Sequence, residues 1–194
     1  MPVLAIADAS VVGNLSSLSS ADADAVRRAV RYLYDLGHRQ IARVGGPESL
    51  AHSYIRDSAF ADVASELGMR YRCLHTDYTP ETGREATKRL LAFSEHPTAI
   101  IYDNDVMALA GLGVAASQGI KVPEEISIMS WDDSLMCTAA YPNLTAMGRD
   151  VVDTGKQAAG LLLKLIGGER VGHLMEGPYE LRARASTGPA PAAE

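Results

Sequence analysis

The stretch T-A-I-I-Y-D-N-D-V-M-A-L-A-G-L, from Thr98 to Leu112, decides the fold. Ala99, Ile100, Ile101 and Tyr102 form a short apolar run without alternation, which predicts a strand buried on both faces. Val106, Met107, Ala110 and Val114 then recur at helical spacing, so a helix follows. Between the two stand Asp103, Asn104 and Asp105. In an open α/β sheet, ligands collect at the carboxyl ends of the strands, where turns and helix amino termini face one crevice. These three polar residues are expected there.

Outward from this stretch the same unit repeats. Val3 to Ala7 reads as a strand reaching Asp8, and the Ser- and Gly-rich run after it reads as a connecting loop. From Ala21 the residues Val26, Ala29, Val30, Leu33 and Leu36 share one helical stripe, which Gly37 ends. Arg27, Arg28 and Arg31 lie off that stripe and form a solvated face. Ile41 to Val44 is a strand ending in Gly45-Gly46-Pro47, although Arg43 is awkward in a strand buried on both faces. A helix from about Leu50 to Leu67 follows, then a strand near Arg72 to His75 and a helix from Pro80 to Phe93. Beyond the central stretch come a strand from Ile126 to Trp131, a short run from Leu144 to Met147 and a long helix from Val151 to Ile166. His173 to Met175 and Tyr179 to Arg182 close the series. Alternation of this kind predicts an α/β, doubly wound parallel sheet with helices on both faces. Residues 188–194 have the composition of a disordered tail.

The chain of 194 residues is 47% hydrophobic and 22% charged, enough to bury a sizeable core in one domain or two small lobes. Its net charge of -6 argues against a large phosphate-binding surface. Cys73 and Cys137 are far apart in sequence, with no Cys-x-x-Cys or His-x-x-x-His spacing, so neither a disulfide framework nor a metal site is expected. The Met1 to Asp8 segment lacks the basic and long apolar parts of a secretory leader, and no apolar run approaches membrane-spanning length. A cytoplasmic location is the default, with no membrane partner. Enzymatic readings lack parts: G-G-P-E-S is not G-x-S-x-G, no P-loop or G-x-G-x-x-G is present, and the five histidines show no partnered nucleophile. The expectation is a binding protein without catalytic residues or a cofactor.

Several segments together resemble the lactose-repressor/galactose-repressor family of bacterial transcription regulators. They are L-G-H-R-Q-I-A (Leu36 to Ala42), G-G-P (Gly45 to Pro47), R-D-S-A-F (Arg56 to Phe60), Y-D-N-D-V-M-A-L (Tyr102 to Leu109), V-P-E-E-I-S-I-M-S-W-D-D (Val122 to Asp133), P-N-L-T (Pro142 to Thr145) and R-A-S-T (Arg184 to Thr187). Each is weak alone, but seven in order are specific, and they span nearly the whole chain. The resemblance implies a periplasmic-binding-protein-like effector module of two lobes. Residues 21–148 and 179–187 would be a nearly complete carboxyl lobe, and residues 1–20 and 149–178 the partial remnant of the amino-terminal lobe. It also implies a fragment, with DNA bound only through a helix-turn-helix headpiece outside this chain, a homodimer, and a small-molecule effector, a carbohydrate. A periplasmic-type sugar-binding protein of a transport system is the alternative. With its sheet neighbours absent, the Val3 to Ala7 strand is expected to be disordered or paired with a second copy, and the fragment to bind sugar weakly or undetectably.

A sugar site needs carboxylates and amides that bond hydroxyls in pairs, an arginine fork and an aromatic platform. By resemblance Asp132 and Asn104 face the effector from strand ends, Arg56 reaches it from the helix after G-G-P, Asp8 follows the first strand, and Tyr78 stacks. A helix cap accounts equally for Asn104 and a turn carboxylate for Asp132 or Asp133, an ordinary exposed helical arginine is the alternative for Arg56, and packing is the commoner role of a tyrosine such as Tyr78. Ser49 and Tyr54 are weaker candidates. Arg149 stands where many relatives have glutamine. It would favour an acidic or phosphorylated sugar, or else pair with Asp150 or Asp153.

Overall fold

In chain order the computed structural model, which describes residues 1–192, contains β1 (Leu4–Ile6), α1 (Ala9–Val12), β2 (Ser16–Ser19), α2 (Asp22–Asp35), β3 (Gln40–Gly45), α3 (Ala51–Glu66), β4 (Arg70–His75), α4 (Pro80–Leu91), β5 (Ala99–Tyr102), α5 (Asp105–Ser117), β6 (Ser127–Trp131), α6 (Leu135–Ala139), β7 (Thr145–Gly148), α7 (Val151–Ile166), β8 (His173–Met175) and β9 (Glu180–Arg182). The chain divides into two units: Met1–Asp22 with Arg149–Tyr179, and Ala23–Gly148 with the segment from Glu180 onward.

The larger unit is built on a six-stranded sheet of order β4-β3-β5-β6-β7-β9, parallel except for the antiparallel β7–β9 pair. The α/β, doubly wound reading of the sequence is correct. β5, β6 and β7 are buried along their whole length, which is why their sequences do not alternate. Ala42, Val44, Ile100, Tyr102, Ile128 and Ala146 pack with Ala86 and Leu90 of α4 and with Met107, Ala108 and Leu112 of α5. Burying a large apolar side chain contributes about 1.5–3 kcal/mol, so this layer dominates the stability of the unit. The phenol of Tyr102 is buried here and shares a 2.7 Å hydrogen bond with the Thr87 hydroxyl. On the opposite face, Arg56 of α3 lies over the ring of Trp131, the last residue of β6. The predicted α2 stripe, Val26, Ala29, Val30 and Leu33, is buried.

The smaller unit corrects two expectations. The Ser-rich run after Asp8 is not a loop: its residues Ser16–Ser19 form β2, the centre of a parallel sheet of order β1-β2-β8. β1 is therefore paired within its own chain, neither disordered nor waiting for a second copy. The physical reason lies in the serines, whose hydroxyls find local partners. Ser17 shares a 3.0 Å hydrogen bond with His173 Nδ1, and Ser19 Oγ donates to the Ala7 carbonyl at 3.0 Å. Small bonded hydroxyls fit a buried strand without producing an apolar run.

A further correction concerns the larger unit, where the short α6 is capped by the Ser134 hydroxyl, with Cys137 turned inward and Leu135, Met136 and Tyr141 exposed. Residues Gly188 to Ala190, expected in a disordered tail, are held. The Ala190 amide donates to the Leu36 carbonyl at 2.8 Å, the Gly188 amide to Ser127 Oγ at 3.1 Å, and the buried His38 ring bonds the Gly188 carbonyl at 3.2 Å. The last two residues of that expected tail lie outside the described residues.

Candidate functional site

The carboxyl ends of β3, β4, β5 and β6 in the larger unit bring one group of side chains together, and Arg43 is its centre. Although charged, it is 1% exposed. A buried guanidinium is tolerated only when paired and hydrogen-bonded. Its Nε donates to Asp103 Oδ1 at 3.0 Å, its Nη2 bonds Asp103 Oδ2, and its Nη1 bonds Asp57. Arg56 Nη1 lies 3.5 Å from Asp103 Oδ2, with the guanidinium 4.5 Å above the Trp131 ring. Asp57 also accepts from His75 Nε2 at 2.8 Å, while His75 Nδ1 lies 2.9 Å from Glu48.

The G-G-P turn makes room for this cluster. A Cβ on Gly45 would sit 2.9 Å from Arg43 Nη1, and one on Gly46 would sit 1.9 Å from Cζ of Tyr78. Both glycines permit close approach by side chains. Tyr78 itself has φ 68°, the left-handed region that non-glycine residues seldom adopt. It is held there from three sides: its amide donates to Thr76 Oγ1 at 3.3 Å, its carbonyl accepts from Asn104 Nδ2 at 3.2 Å, and its hydroxyl meets His52 Nε2 at 2.7 Å. Burial raises its phenol above the ordinary tyrosine range.

Asn104 is the N-cap of α5, its Oδ1 accepting from the Met107 amide at 2.8 Å. Both ends of its amide are engaged, and any ligand bond uses the second lone pair or the second N–H. Asp132 is exposed at the end of β6 with φ 65°, like Tyr78 a non-glycine residue in the left-handed region. Its neighbour Asp133 has a different task. Arg184 Nη1 and Nη2 and Arg182 Nη1 each donate to the Asp133 carboxylate at 2.7 Å, and the Arg184 bond foremost holds it below the usual carboxylate range. Ser49 is an exposed turn residue, and Tyr54 is exposed on α3.

Asp8 and Arg149 belong to the smaller unit. Asp8 caps α1, its Oδ1 accepting from the Ser10 amide at 2.9 Å and the Ser10 hydroxyl at 2.6 Å, which lowers its pKa. Arg149 pairs with Glu176, a buried carboxylate that also accepts from Thr154 Oγ1 at 2.7 Å. Its guanidinium stands 5.7 Å from the Tyr179 ring centroid. Asp150 caps α7 instead of pairing with Arg149.

Sequence reasoning placed Asp103 at the strand-end crevice without giving it a role, and it missed His52 and Asp57. Arg43 carried the signal for Asp103, because a buried arginine requires a buried carboxylate and the β3–β5 register sets Val44 beside Tyr102, one residue before it. His52 stands four residues before Arg56, on the same face of α3. Among the described residues no cluster of three or more side chains suited to a metal ion occurs, and no helix is long and apolar enough to cross a membrane.

The periplasmic binding protein-like domain family matches residues 30–187. The chain belongs to that family. Among its relatives is the HTH-type transcriptional repressor CytR of Escherichia coli, 34% identical over 165 residues, covering 82% of this chain and 48% of that protein. A LacI family transcriptional regulator from Bifidobacterium animalis has a solved structure that is 59% identical, with a TM-score of 0.95 over 98% of this chain and 70% of the other. The dimeric Lac repressor with an 11-residue C-terminal deletion is 27% identical, with a TM-score of 0.87 over 97% of this chain and 68% of the other. These similarities establish the lactose-repressor family resemblance. Relatives in this set are transcriptional regulators, whereas the transport reading has less support. The chain spans about half the length of the curated relatives it matches.

Proposed function

We propose that this periplasmic binding protein-like chain is the effector-binding and dimerising part of a cytoplasmic transcriptional regulator, and that its effector is a carbohydrate or a similar small polyhydroxyl metabolite. It carries no catalytic step and uses no cofactor. In this reading the larger unit corresponds to one lobe and the smaller unit to part of a second. DNA contact belongs to a headpiece of the regulator.

The observation that carries the proposal is the connected set at the strand ends of the larger unit. Arg56 stacks on Trp131, whose successor is Asp132; Asp103 joins Arg56 to the turn bearing Asn104; and Asn104 bonds Tyr78. An arginine fork, an exposed carboxylate, an amide and an aromatic ring on rigid elements are the groups that hydroxyl recognition requires. Two of them, Tyr78 and Asp132, have left-handed backbones, a kind of strain that gathers at ligand clamps. Asp8 and Arg149 of the smaller unit remain proposed contacts, with Arg149 acting through its pairing with Glu176.

Dimerisation is supported by a separate surface. Pro80 and Arg84 of α4, Val106, Leu109 and Gly113 of α5, and Met136 of α6 line an apolar groove. Leu135, which opens α6, and Tyr141, two residues past its end, are 83% and 98% exposed, large apolar groups that a monomer would leave in water. A second copy is the proposed occupant, in line with the dimeric Lac repressor that carries an 11-residue C-terminal deletion.

Calorimetric titration with a panel of monosaccharides and nucleosides tests the effector reading. A binding member should lose about tenfold to a hundredfold in affinity with Asp132→Ala, the effect of removing a charged hydrogen bond. An unchanged affinity in that variant would show the site to be elsewhere.

A further inference from the structure

Three arginines lie in or beside the candidate groups, and a cationic site of this kind ordinarily draws phosphates and carboxylates. Their pairing here points the other way. Asp103 has its side chain fully buried, with Oδ1 held by Arg43 Nε and Oδ2 shared by Arg43 Nη2 and Arg56 Nη1. Arg43 is further matched by Asp57, which itself meets His75. The two guanidiniums and two carboxylates of this cluster sum to zero charge. Asp132, exposed at the neighbouring strand end, adds a negative charge. In the smaller unit, Arg149 is matched in the same manner by the buried Glu176. Arg56 Nη1 lies 3.5 Å from Asp103 Oδ2, so an anion at the other N–H groups of this guanidinium would meet a charge already offset and would be repelled by the carboxylates of Asp103 and Asp132.

We infer that Asp103 is a specificity-determining residue: by engaging the guanidiniums of Arg43 and Arg56 it masks them from anions and restricts the site to uncharged polyhydroxyl ligands. The inference rests on the effector site proposed above. It assigns Arg56 the role of an N–H donor to a neutral hydroxyl, with its positive charge already balanced.

The test is calorimetric titration of the full chain with inorganic phosphate at constant ionic strength, in the wild type, in Asp103→Asn, and in Asp103→Asn combined with Arg56→Gln. Wild type should show no saturable phosphate binding. Asp103→Asn should gain phosphate affinity by roughly tenfold or more, the scale of one charge-assisted bond, and the added Arg56→Gln should remove the gain. A folded Asp103→Asn chain without that gain would overturn the inference. Should circular dichroism show Asp103→Asn unfolded, the wild type decides. Saturable binding of phosphate or glucose 6-phosphate that Arg56→Gln abolishes overturns the inference, and its absence supports it. The sugar reading fails separately, if no uncharged sugar or nucleoside binds while Asp103→Asn still gains phosphate.

Discussion

At the scale of single residues, the site depends on where atoms are missing as much as on where they are present. Gly46 leaves the space that the Tyr78 ring occupies, since a Cβ there would fall 1.9 Å from the ring carbon Cζ. Gly46→Ala should therefore displace Tyr78 from its bond with His52 and cost about 1–3 kcal/mol, as overpacking does. Urea denaturation measures the loss, and a stability equal to wild type would mean that the turn gives way freely. Arg43 and Asp103 allow a sharper comparison. Removing one member of a buried pair leaves the other charged and unpartnered, so Arg43→Met should destabilise by about 3–5 kcal/mol. The double change Arg43→Met with Asp103→Leu should recover a large part of that, and additive losses in the double-mutant cycle would show the two to be uncoupled.

At the scale of elements, apolar runs and helical stripes made most of the fold legible. α7 occupies the residues that its periodicity predicted, and β5 and β6 stood out because both faces are buried. β2 did not, because a strand of serines with bonded hydroxyls carries no apolar signal. α6 was hidden by its length of one turn, although the Ser134 cap and the apolar Leu135 and Met136 mark it. In the candidate site, Arg56, Asn104 and Asp132 were legible through their motifs, whereas Asp103 depended on a partner one strand away. The segment from Gly188 to Ala190 was the hardest to read, since its composition suggests disorder while its order comes from distant residues. Its anchor is His38, whose Nδ1 meets Thr98 Oγ1 at 2.8 Å and whose Nε2 meets the Gly188 carbonyl. Burial pushes this imidazole below its ordinary pKa of 6.5, outweighing the Gly188 bond. The unfolded chain thus binds the proton more readily than the folded one, so stability is fully present above pH 6.5 and falls as the pH drops toward the lowered folded value. Thermal denaturation between neutral and mildly acid pH should show this slope, and His38→Gln should flatten it. A slope that survives the substitution would assign it to another group.

At the scale of the whole molecule, the two units differ in how well they are covered. Parallel sheets are ordinarily buried on both faces. In the smaller unit, Ile6 of β1, Met175 of β8 and Val151, Val152, Leu163 and Ile166 of α7 are all exposed. Amides of β1, β2 and β8 should therefore exchange hydrogen faster than those of β5 and β6, because few buried contacts oppose local opening. Equal protection in the two sheets would contradict that ranking. For the larger unit the account predicts both a second copy on the α4–α5 groove, visible as a dimer in sedimentation, and an effector at the strand ends. The most direct test of that central claim is a ¹H–¹⁵N spectrum of the chain titrated with unmodified monosaccharides and nucleosides. The account predicts that the binding member moves the amides of Gly46, Tyr78, Asn104 and Asp132 together. Shifts confined to the α4–α5 groove, or no shift with any member of the panel, would contradict it.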